Sequence, residues 1–96
     1  MPTFEIHCKQ TEQLLGDRFE QVHLWLDEFA GKEPYGMRHR RKRHHAAGIE
    51  EVRLMFGDEA AKAARIHIER DLMEEGWTPS DPFPRDERHF VSIGFY

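Results

Sequence analysis

Residues 37–57 read MRHRRKRHHAAGIEEVRLMFG, and their periodicity decides the fold class. The second half carries Ile49, Val52, Met55 and Phe56 at the three- and four-residue spacing of a helix with one apolar face. The first half carries Arg38, His39, Arg40, Arg41, Lys42, Arg43, His44 and His45. At roughly 100° per residue, His45 falls in line with Ile49, Val52 and Phe56, and His44 lies beside Gly48 and Met55. Read as one long helix, the segment has an apolar stripe that turns ionisable midway. Such a stripe is either a core with a buried polar network or the wall of a site.

The flanking sequence repeats the helical pattern. In the first segment, Phe4, Ile6 and Cys8 alternate as in a short strand. Phe4, Cys8, Thr11 and Leu15, joined by His7 and Leu14, instead follow a helix that stops at Gly16. The helical pattern covers more residues and is preferred, with a short extended start. Asp17 followed by Glu20 resembles a capping box and predicts a helix to about Ala30, with Phe19, Val22, His23, Leu26 and Ala30 on one face. Residues 31–36, GKEPYG, read as a loop. Gly57 and Asp58 mark a stop and a start. The helix from Glu59 to about Glu75 then places Ala60, Ala61, Ala64, Ile68 and Leu72 together. The proline-rich segment 78–84 precedes a short last helix with Asp86 and Glu87 in its first turn, although Val91, Ile93 and Phe95 alternate as a strand would. Trp77 and Phe83 are expected to cover one end of the bundle, and the apolar end 93–96 to pack back on it or make a dimer contact. The fold class that follows is all-α: a small antiparallel bundle of four to five helices, one domain over residues 1–96.

Composition bounds the rest. A chain of 96 residues has a small core, so each large apolar residue counts. The net charge of −4 excludes nucleic-acid binding by bulk charge, and the basic residues are concentrated in one run. The single cysteine, Cys8, cannot form an intrachain disulfide and reads as a small core residue. No apolar run is long enough to span a membrane, and no signal-peptide pattern is present, so a cytoplasmic location is expected.

The outlier is the count of seven histidines. Two helices carry the spacing His-x-x-x-Asp, His23 with Asp27 and His67 with Asp71, which puts each pair on one helix face one turn apart. The central segment adds the doublet His44-His45. Imidazole nitrogen and carboxylate oxygen are ligands for divalent ions. A bundle that brings these faces together predicts a metal site of His23, Asp27, His45, His67 and Asp71 for zinc, manganese or nickel. His7, His39, Arg40 and His44 are secondary candidates. Arg38 and Arg41, which face inward on an unbroken helix, would neutralise an anion or hold Asp27 and Asp71. The Glu-x-x-His pairs of di-iron bundles are absent.

The segments VHLWLDEF, RHRRKRHHAAGIEEVRLMFG and HIERDL together resemble a group of small bacterial and phage proteins of unknown function. Their shared pattern is His-x-Trp-x-Asp, Arg-His-Arg, His-His-x-x-Gly-Ile, Phe-Gly and His-x-x-x-Asp. The resemblance runs from about His7 to Leu72 and implies that His7, His23, Asp27, Arg38, His39, Arg40, His44, His45, His67 and Asp71 form one unit. It implies no activity. The chain is also loosely similar to HD-class phosphohydrolases, through His23, the doublet and Asp71, but its doublet is His-His rather than His-Asp.

Two functions follow from these residues. One is a small helical metal-binding protein, with hydrolysis of a phosphate-containing substrate as its activity. The alternative is a non-catalytic binding module. In it the His, Arg and Asp residues are a structural network, and Arg38, Arg40, Lys42 and Arg43 contact nucleic acid or an acidic partner. A homodimer fits either.

Overall fold

The computed structural model describes residues 4–30 and 39–95, and every regular element among them is helical. The elements are α1 (Phe4–Leu15), α2 (Glu20–Leu26), α3 (Arg40–Arg43), α4 (Ala46–Phe56), α5 (Asp58–Glu74) and α6 (Glu87–Ser92). The expected loop 31–36, Arg38 and Tyr96 lie outside the described residues.

α5 is the axis of the bundle. It packs along α4, to which Gly57 joins it directly, and against α1 and α2, while α3 sits on α4 and α6. Its buried face is Ala60, Ala63, Ala64, His67, Ile68, Asp71 and Leu72, so Ala63 takes the place expected for Ala61. The small residues near its start let α4 approach closely. Val22, Leu26, Val52, Trp77 and Phe90 complete the apolar core, with Phe19, Trp25, Ile49, Phe83 and Phe95 packed around it. Trp77 joins the core with Phe83 packed against it, ring edge to ring face, and the Trp77 indole donates to the Pro82 carbonyl. Phe95 folds back on Phe90, with ring centroids 5.4 Å apart. Cys8 is a fully buried free thiol.

The N-terminal segment is helical rather than extended, and its inward residues are His7, Cys8 and Thr11. Asp86 caps α6 by accepting from the His89 N–H, so the last segment is a helix and not a strand.

Three expectations need correction. The stretch 37–57 is not one helix. It breaks between Arg43 and Ala46, where His45 takes an extended conformation (φ −160°). There the Ala46 and Ala47 amides, unpaired at a helix start, donate to the carbonyls of Pro84 and Arg85 at 2.9 and 2.8 Å. The break also swings the apolar stripe, so Val52 is buried but Met55 and Phe56 are exposed. Gly48 permits the sharp junction, because a Cβ there would lie 1.9 Å from the Arg43 carbonyl oxygen. Second, α2 starts at Glu20 rather than Asp17. The Asp17 carboxylate accepts from the Phe19 amide, and Phe19 itself sits at φ 52°, a left-handed conformation. Third, α2 ends at Leu26 rather than near Ala30, which frees Asp27 from the helical face.

Candidate metal centre

Six buried polar side chains come from four separate elements and meet beside the apolar core: His7 and Thr11 on α1, His23 on α2, His44 after α3, and His67 and Asp71 on α5. None is more than 2% exposed. Asp27, at the end of α2, joins them with its side chain 33% exposed and is the edge through which the cluster meets the surface.

Two carboxylates sit at the centre. Asp71 Oδ2 lies 3.0 Å from His44 Nε2 and 3.3 Å from His67 Nε2. Its other oxygen, Oδ1, lies 3.2 Å from His7 Nε2 and 3.5 Å from Arg40 Nη2. Asp27 Oδ1 lies 3.4 Å from His44 Nε2 and 3.2 Å from His39 Nε2, and Asp27 Oδ2 lies 3.4 Å from His67 Nε2. One donor atom from each of Asp27, His44, His67 and Asp71 therefore falls within 4.8 Å of the others. A second group, His7, His23 and His67, meets the same condition. On that side His23 Nδ1 is 2.8 Å from His67 Nδ1, and the His7 and His67 rings stack with centroids 3.7 Å apart. His67 belongs to both groups.

Burial and charge act against each other here. Burial pushes Asp71 up, but the imidazoles of His44, His67 and His7 crowded against it outweigh that and hold the carboxyl far below the ordinary range. Asp27 is held low in the same way by His39 and His67. Burial takes His44 down to about 4, with Asp71 opposing, and His23 down to about 3, where no carboxylate offers comparable support. His67 alone is raised. Burial pulls it down too, but it faces both carboxylates and they prevail. The pair of aspartates thus demands positive charge at the point that His67 Nε2 faces. That nitrogen is nonetheless buried without a well-formed hydrogen bond, as are Asp27 Oδ1 and Asp71 Oδ1. Their spacing brings them together, but their directions do not satisfy one another.

The sequence-derived site maps onto this arrangement unevenly. His23, Asp27, His67 and Asp71 converge, and the secondary candidates His7, His39, Arg40 and His44 all border the two aspartates. His45 does not belong. Both of its ring nitrogens are used at the start of α4, where Nδ1 accepts from the Gly48 amide and Nε2 donates to the Lys42 carbonyl. The break in the helix turns His44 inward in its place. It likewise exchanges the arginines. Arg40, a secondary candidate that the alternative reading gave to nucleic acid or an acidic partner, reaches Asp71 and, at 3.3 Å, Glu75. Arg41, expected to face inward, pairs with Glu87, and Arg43 pairs with Glu28 and lies over the Trp25 ring. Arg38 lies outside the described residues. Thr11 is the participant that the sequence reading left in the core. Its position one turn from His7 on the same helix was the available signal.

These elements define an all-α domain with a buried His/Asp cluster that could hold a metal ion. The chain belongs to DUF6915, a domain family of unknown function whose model matches residues 4–81, a span that includes every member of the cluster. No curated protein and no solved structure matches the chain.

Proposed function

We propose that this protein binds a divalent metal ion through His44 Nε2, His67 Nε2 and one carboxylate oxygen each from Asp27 and Asp71. The observation that carries the reading is the spacing of these four donors. Metal–ligand bonds of about 2.0–2.2 Å in a tetrahedral site place neighbouring donors about 3.3–3.6 Å apart. Asp71 Oδ2 lies 3.0 and 3.3 Å from the two imidazole nitrogens, Asp27 reaches each of them at 3.4 Å through a different oxygen, and one donor from each residue lies within 4.8 Å of the others. Hydrogen bonding accounts for one of these contacts, His44 with Asp71, and leaves His67 Nε2 unexplained. An ion of charge +2 would balance the two carboxylates, and mixed nitrogen and oxygen donors suit zinc, manganese or nickel.

The reading stops at ion binding. Arg40, Arg41 and Arg43 are each paired with carboxylates of the chain, so none of them marks a site for a substrate anion. The same pairing supports the competing reading, a metal-free structural network, in which His44, His67 and His7 simply neutralise Asp71. Contact of the basic run with nucleic acid belongs to that second reading. It predicts salt-dependent association lost on replacing Arg40, Lys42 and Arg43.

Elemental analysis of protein purified without an affinity tag decides between them, paired with thermal melts of the chelated protein. Near-stoichiometric metal is expected, together with a melting temperature that rises on adding zinc. At a hundredfold excess over Kd the added stability is about 2.7 kcal/mol. No bound metal and no shift with zinc, manganese or nickel would leave the structural network as the better account.

A further inference from the structure

Resting on the ion-binding reading above, we infer that Thr11 is a positioning residue for the centre: it fixes the tautomer of His23, and through it turns Nε2 of His67 toward Asp27 and Asp71.

The protons available around Thr11 fix the roles. The Thr11 hydroxyl oxygen lies 2.9 Å from the Arg18 carbonyl oxygen, 3.1 Å from that of Cys8 and 3.2 Å from that of His7. All three accept only, so the hydroxyl proton is committed to them. The fourth neighbour is His23 Nε2 at 3.1 Å. If that nitrogen also accepted, it would face an oxygen with no proton left to give. His23 Nε2 therefore carries the hydrogen and donates to Thr11.

His23 is 1% exposed, and its two ring nitrogens meet a hydroxyl and an imidazole, with no carboxylate at either. A second proton has nothing to balance it there, so Nδ1 keeps its lone pair. That lone pair sits 2.8 Å from His67 Nδ1, which must be the donor. With Nδ1 committed to His23, Nε2 is the nitrogen of His67 that faces the two aspartates, and it gives up its own proton when an ion binds. This is the arrangement of a ligating histidine, whose far N–H is held by an acceptor that sets the ring orientation and the tautomer. The chain of donors runs from His67 to His23 to Thr11 to the backbone at Arg18.

The same proton positions separate the two histidine-containing groups. An ion held by His23 Nδ1 and His67 Nδ1 together would need a lone pair on both, and His67 Nδ1 holds a proton, which favours the aspartate side.

The test compares wild type, Thr11→Val and Thr11→Ser. Long-range proton–nitrogen NMR spectra of the metal-free wild type read the tautomers directly. Protons on His23 Nε2 and His67 Nδ1 are expected. Zinc titration of the three proteins gives the second measurement. Thr11→Val should weaken zinc binding by about 10–100-fold, as loss of a group supporting a ligand does. Thr11→Ser keeps the hydroxyl and should bind as wild type does. A proton on His23 Nδ1 overturns this inference whether or not zinc binds. So does undiminished zinc affinity in a folded Thr11→Val. If Thr11→Val does not fold, the wild-type spectra decide alone. The expected tautomers without any zinc binding would overturn the ion-binding reading and leave the Thr11 relay standing.

Discussion

On α5, Ile68 and Leu72 are as deeply buried as their neighbours His67 and Asp71, yet the two pairs face regions held together by different physics. Ile68 and Leu72 meet Val22, Leu26, Val52 and Phe90. Their attraction is proportional to area removed from water and has no preferred direction. One residue round the helix, His67 and Asp71 meet His7, His23, Asp27 and His44, where each contact depends on which atom holds a proton and where it points. The apolar region should tolerate change by repacking. The polar region should respond to protons, to ions and to the loss of single partners.

The largest expected effect is acid destabilisation. With chelator present, stability should fall steeply between about pH 6.5 and 4. Burial holds His23 near 3 and His44 near 4 in the native state against an ordinary 6.5. In that window the unfolded chain binds two protons that the native state refuses, so their contribution is complete above the unfolded value and is lost as pH falls. Each group removes up to about 1.4 kcal/mol per pH unit. Over two units the pair sums to about 5 kcal/mol, comparable with the total stability of a small domain. His67, whose folded value is raised, stabilises below 6.5 and loses that contribution as pH rises through its folded value, so it adds no slope on the acid side. Denaturant melts across this range check the claim. His44→Gln should roughly halve the slope, and Leu26→Ala should lower the whole curve without changing its steepness. A slope that His44→Gln leaves intact breaks the distinction between the regions.

Asp71→Asn and Leu72→Ala sharpen it. Asp71→Asn leaves His44, His67 and His7 facing an amide, while Arg40 retains Glu75. A cost of about 3 kcal/mol is expected, with zinc affinity reduced by at least about 10–100-fold. Leu72→Ala should cost a similar 2–5 kcal/mol, about as much as other buried leucines, and leave zinc affinity unchanged. Denaturation and calorimetric titration of both variants measure the two quantities, and equal loss of zinc affinity in both would erase the contrast.

Gly48→Ala comes next. Alanine is the better helix former by roughly 1 kcal/mol, but its methyl would strike the Arg43 carbonyl oxygen. We expect a net loss of about 1–3 kcal/mol and weaker zinc binding, because the displaced α3–α4 junction carries His44. A stabilised variant would show that the junction yields freely. The smallest effect is assigned to Arg53→Gln, at an exposed pair with Glu50. Its melting temperature and zinc affinity should both match wild type.

Much of the fold was legible because helix signals are local. Gly16 and Gly57 stop helices as read, Asp86 caps α6, and the spacing of Ala60, Ala64, Ile68 and Leu72 gives the buried face of α5. His67 and Asp71 were legible for the same reason, being one turn apart on a continuous helix. The misreadings share a cause. Periodicity assumes that a helix continues, and it carried His45 and Arg41 inward on a helix that the chain in fact breaks.

By itself the sequence determined an all-α domain, the faces of its longer helices, and the two His-x-x-x-Asp pairs that supply four of the seven cluster residues. Helical propensity, glycine stops and i,i+4 spacing act within a few residues, so they can be read from order alone. The tertiary structure decided which member of the His44-His45 doublet enters the cluster, which arginine reaches Asp71, and that Thr11 stands behind His23. Each of those depends on groups distant in the chain. The carbonyls of Pro84 and Arg85 take the Ala46 and Ala47 amides, and Arg18 and His23 converge on the Thr11 hydroxyl. A buried hydrogen bond must be satisfied by whatever the fold brings near, and only the assembled chain says what that is.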